Sequence, residues 1–75
     1  MDAHTKRRLS LARWYASEHI VNEARGDPEN AAQDLASAAE YLSALLGRPV
    51  TVETPEEIVA LCCAIELGEL AETAA

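Results

Sequence analysis

Two prolines, each directly behind a residue that caps helices, cut this chain into three. In "GDPEN", residues 26–30, Asp27 stands as N-cap, Pro28 takes the first helical position and Glu29 sits beside the positive helix end. "TPEE", residues 54–57, repeats the device with Thr54 as N-cap, Pro55 next and Glu57 at the capping-box position. Proline has no amide hydrogen to give a helix interior, so neither segment belongs mid-helix. Gly26 and Gly47 supply the stops in front of them. The punctuation predicts helices over about residues 4–25, 28–46 and 55–72 in a single domain, 1–75. The fold class is all-α: a small three-helix bundle, a helical hairpin plus a third helix returning across it. Between the second and third helices, "RPVTVE" alternates Val50 and Val52 with Thr51 and Glu53. That reads as a short extended stretch and leaves open whether residues 48–54 pair as strands between subunits.

Seventy-five residues make one small domain whose core is marginal. Of its apolar residues 15 are alanine, Phe is absent and Trp14 is the only tryptophan, so helices form readily over a thin core. Oligomerisation is a common remedy at this size. The helices differ in how many faces they must bury. The second carries one stripe, Ala31, Ala32, Leu35, Ala38, Ala39, Leu42, Leu45 and Leu46, with Glu29, Gln33, Ser37 and Glu40 opposite. The first has a seam of Leu9, Ala12, Ala16, Ile20 and Ala24, and a second strip of Leu11, Trp14 and Val21. The third is also two-faced: Ile58, Leu61, Cys62 and Ile65 on one side, Val59, Cys63, Leu67 and Leu70 on the other. A helix apolar on two sides is usually buried on two sides, and a three-helix monomer readily covers one. A homodimer is therefore expected, through Leu11, Trp14, Val21, Val59, Cys63, Leu67 and Leu70.

Charge narrows the partners. Residues 1–25 hold five basic side chains against three acidic, a net +2, while residues 26–75 hold one against ten, a net −9. A formal charge of −7 argues against general affinity for nucleic acid or anionic membrane surfaces, despite the basic cluster "HTKRR" at residues 4–8. Glu53, Glu56, Glu57, Glu66, Glu69 and Glu72 make an acidic surface suited to a basic groove on another protein. No stretch reads as a leader or a membrane span, and two adjacent cysteines without a secretory signal point to the cytoplasm.

Chemistry-bearing patterns are weak. Cys62 and Cys63, adjacent on a helix, diverge by about 100° and cannot chelate one ion as a C-x-x-C pair does. Cys62, Glu66 and Glu69 share a helix edge, which would suit a metal or small ligand only with donors added from His19 or a second chain. Arg13 and His19, five residues between them, resemble the Arg-to-His signature of HEPN-type ribonucleases in those two residues alone. Trp14 stands where a polar residue belongs, and the two side chains diverge by about 120°. The simpler reading is a solvated Arg13 and an i,i+4 pair of His19 with Glu23. No catalytic constellation, metal or cofactor is expected.

The expectation is a non-enzymatic acidic helical module acting on another protein as inhibitor or adaptor. The class analogy is to antitoxins and phage-encoded inhibitors, and the excess of Arg and Ala over Lys and Ile suits a GC-rich bacterial or phage genome. The alternatives are an accessory subunit of a larger complex, or a metal or small-ligand protein with its site at a dimer seam.

Overall fold

The computed structural model describes residues 1–70 and shows three helices, α1 Ala3–Ala24, α2 Pro28–Leu46 and α3 Pro55–Glu66, with no strand among them. Each helix begins as its cap dictates. The Asp2 carboxylate accepts from the Thr5 amide at 2.8 Å, Asp27 from Asn30 at 3.2 Å, and the Thr54 hydroxyl from Glu57 at 3.2 Å. The return half of the last capping box lands one residue early, the Glu53 amide donating to Glu57 Oε2 at 3.4 Å. Residues 47–54 are irregular but not loose. Val52 is buried and Val50 packs beside the core, while the Val50 amide donates to Ser43 Oγ at 2.9 Å and Ser43 to the Ala39 carbonyl at 2.7 Å. The alternation is real, and within the described chain it seats a loop on α2 without forming a strand.

The third helix is shorter than its sequence suggests. Gly68 turns left-handed at φ 75°, the Gly68 amide donates to the Ile65 carbonyl and the Glu69 amide to Ala64, which together close a Schellman motif. The apolar pattern runs on past this glycine, so periodicity alone carried the expected helix towards Glu72, which lies outside the described residues. α1 closes in the same way at Gly26, with Gly26 bonded to Glu23 and Asp27 to Asn22.

α1 and α2 form the hairpin, and α3 lies mainly on α1 with little contact to α2. Cys62 Sγ lies 3.9 Å from the Leu9 carbonyl, and Cys63 and Glu66 reach Arg13, so α3 runs in the same direction as α1. At 1.5 Å per residue α1 is about 33 Å long and α3 about 18 Å, leaving the second half of α1 uncovered on that side. This changes the expected seam of α1. Its buried residues are Thr5, Leu9, Ala12, Ala16 and His19, whereas Ile20 is 58% exposed and Ala24 is also exposed. On α2 the stripe holds except at Ala32, which is exposed, while the polar Asp34 is buried. The core is Leu9, Ala12, Ala16, Ala38, Leu42, Leu45, Leu46, Val52, Ile58, Cys62 and Ile65, with Tyr15, Leu35, Tyr41 and Leu61 at its edges.

Candidate functional site: the outer faces of α1 and α3

Three polar contacts fix the frame on which these faces stand. The buried His19 ring bridges two helices' worth of acceptors, with Nδ1 2.7 Å from the Ala31 carbonyl and Nε2 2.7 Å from the Glu23 carboxylate. Asn22 Nδ2 donates to the buried Asp34 carboxylate at 2.7 Å. These two contacts pin the open half of the hairpin, where α3 does not reach. The His19–Glu23 pair follows from i,i+4 spacing; the links to Ala31 and Asp34 do not, because they depend on how the hairpin closes. Asp34 gave one signal, as a carboxylate at the margin of an apolar stripe one turn from Ala31 and Ala38.

The third contact joins α1 to α3. The Arg13 guanidinium pairs with Glu66 and lies 3.7 Å from Cys63 Sγ. Arg13 is thus not the freely solvated side chain that its sequence context suggests. Its hydrogen bond to Glu66 raises the arginine's pKa still further and holds the glutamate's carboxyl below the usual carboxylate range. A depressed folded-state value means that the pair contributes stability above the unfolded glutamate's titration and loses it as pH falls through the folded one. Thermal melts between mildly acidic and strongly acidic pH should therefore show a steeper loss of stability in wild type than in Glu66→Gln. Equal slopes would show that the pair adds nothing in solution.

The adjacent cysteines part company. Cys62 is fully buried, its thiol pushed up in pKa chiefly by burial. Cys63 is exposed on the flank beside Arg13. A thiol reagent should label Cys63 quickly in the native chain and Cys62 only on unfolding, so mass spectrometry of the folded protein should show one adduct. Two fast adducts would mean that α3 detaches readily. Cys62, Glu66 and Glu69 do not gather as ligands: Cys62 faces Leu9 and Glu66 faces Arg13. No group of three His, Cys, Asp or Glu side chains poised for a metal occurs among the described residues.

The seven apolar residues expected at an interface fall on separate surfaces. Val59, Cys63 and Leu67 make an exposed row along α3 and its cap, 44% exposed at Val59 and 73% at Leu67. Glu56 and Glu66 flank it and are also exposed. Leu70 instead folds back against the core after the Gly68 turn. Leu11, half-buried, and the exposed Trp14 and Val21 lie on the far side of α1. Each stands two residues, about 200°, beyond a buried one: Leu9, Ala12 and His19. Trp14 meets Tyr15 edge-on at 5.0 Å between ring centroids, and Tyr15 stacks on Tyr41 at 6.1 Å. Of the acidic set, Glu53, Glu56, Glu57, Glu66 and Glu69 are exposed, and Glu72 lies outside the described residues.

The chain matches no family model, no protein of established function and no solved structure. Among the described residues no helix is long and apolar enough to cross a membrane.

Proposed function

We propose that this chain is a non-enzymatic protein–protein interaction module, an inhibitor or adaptor that works by occupying a surface of another protein in the cytoplasm. One observation supports it most: Leu67, 73% exposed, ends an apolar row with Val59 and Cys63, all three exposed even with the Arg13 guanidinium 3.7 Å from Cys63 Sγ. Three exposed apolar positions within nine residues are costly to leave in water on a chain this small, and contact with a partner removes that cost. Glu56 borders the row, Glu53, Glu57 and Glu69 lie near it in sequence, and Glu66 on its flank is already paired with Arg13. Apolar residues rimmed by carboxylates complement a hydrophobic groove edged with lysine and arginine.

The test is a pull-down from lysate with wild type beside Leu67→Glu. The expected result is a stoichiometric partner with a basic groove, weakened by moderate salt and lost in Leu67→Glu. Binding that ignores both salt and Leu67 would overturn the acidic-module reading and favour an obligate subunit held by a different surface.

A further inference from the structure

The buried residues of α1 recur at intervals of four and three: Thr5, Leu9, Ala12, Ala16 and His19. Two residues beyond each lies a second stripe with the same spacing: Arg7, Leu11, Trp14, Glu18 and Val21. Alternating steps of four and three are the spacing of a coiled-coil seam. This stripe points away from α2 and α3, and neither Arg7 nor Glu18 has an ion-pair partner among the described residues. Its first four members stand in the order cation, apolar, apolar, anion.

We propose that α1 pairs with α1 of a second copy of this chain, antiparallel, through Arg7, Leu11, Trp14 and Glu18. Reversing that order against itself places Arg7 on Glu18 of the second copy and Leu11 on its Trp14, each contact made twice by the two-fold axis. The axis passes between Leu11 and Trp14, and the overlap runs from His4 to Val21, all within α1. A parallel pair would stack Arg7 on Arg7 and Glu18 on Glu18. An antiparallel pair shifted to centre on Ala16 would set Arg7 against Arg25. Charge thus favours the antiparallel direction and the register that sets Arg7 against Glu18. The Trp14 ring is already held against Tyr15, so little side-chain freedom is lost when it is covered. The surface differs from the α3 row, so self-pairing and partner binding stand or fall separately.

Sedimentation of the full chain, from micromolar to hundreds of micromolar, tests the pairing. Wild type should be a reversible dimer. Arg7→Glu and Glu18→Arg should each weaken it by about tenfold, since two exposed ion pairs become repulsive. The double variant Arg7→Glu with Glu18→Arg should return to within about threefold of wild type, which only reciprocal contact between those positions predicts. Helical content by circular dichroism, unchanged in all three, keeps folding defects apart from lost pairing. A wild-type monomer throughout, or a dimer in which the double variant is weaker than both singles, would overturn the proposal. Either of those results would leave the Leu67 pull-down to judge the interaction-module reading on its own.

Discussion

Leu42→Ala is expected to leave most of the chain unfolded at 25 °C. Leu42 is fully buried at the heart of α2, among Leu9, Ile58 and Cys62, the other large side chains with almost no exposure. Truncating a leucine there costs about 2–5 kcal/mol, the transfer of the lost methyl groups plus the cavity they leave. A core of this size supplies no more than about 3–5 kcal/mol in total, so the loss is comparable to the whole. Urea titration followed by circular dichroism should find little or no native baseline in Leu42→Ala. Leu42→Met, which keeps the volume, should cost less than about 1.5 kcal/mol and retain a cooperative transition. A Leu42→Ala chain as stable as wild type would show that the stability resides elsewhere, in association above all.

Ala38→Leu should also destabilise, although it adds apolar surface to a core poor in it. Ala38 is fully buried on the same face of α2 as Leu42, and α1 meets that helix with Ala12 and Ala16, also buried. Small residues on both sides are the pattern that lets two helix backbones pack at short separation, with little room between them for a larger side chain. Three added carbons have nowhere to go unless the hairpin opens. The expected cost is about 1–3 kcal/mol, or a melting point lowered by about 4–8 °C for each kcal/mol. Calorimetry on the variant gives the sign directly. A higher melting point would mean that the α1–α2 interface holds slack that an oligomer or partner normally fills.

The dimer proposed through α1 bears on both results. If the wild type associates, its apparent stability rises with concentration, and the cost of either substitution should be read at a dilution where the monomer dominates. The Arg7→Glu variant, expected to pair about tenfold more weakly, widens that range of dilution, and its substitution lies on the exposed side of α1.

How much of this was legible beforehand depends on the range of the forces involved. Caps and stops act within four residues, so Asp27 with Pro28, Thr54 with Pro55, and Gly26 and Gly47 marked the ends of α1 and α2 and the starts of α2 and α3 from sequence alone. Gly68 carries the same kind of signal, but it sits inside an apolar run that continues past it to Leu70. Periodicity likewise showed that α1 and α3 each have two apolar faces, because it needs only one helix to be seen. Which face goes inward, and where, needs the neighbours. Ile20 is exposed because α3 ends beside Arg13. His19 and Asp34 are buried because the hairpin brings Ala31 and Asn22 to them, and Arg13 is paired because α3 runs alongside α1. The division of the apolar surplus into an α3 row and an outer stripe of α1 is of the same kind. The sequence by itself determined three helices and an excess of apolar surface, through interactions a few residues long. Only the tertiary structure decided which surface was left over, because burial belongs to pairs of elements and no single element contains it.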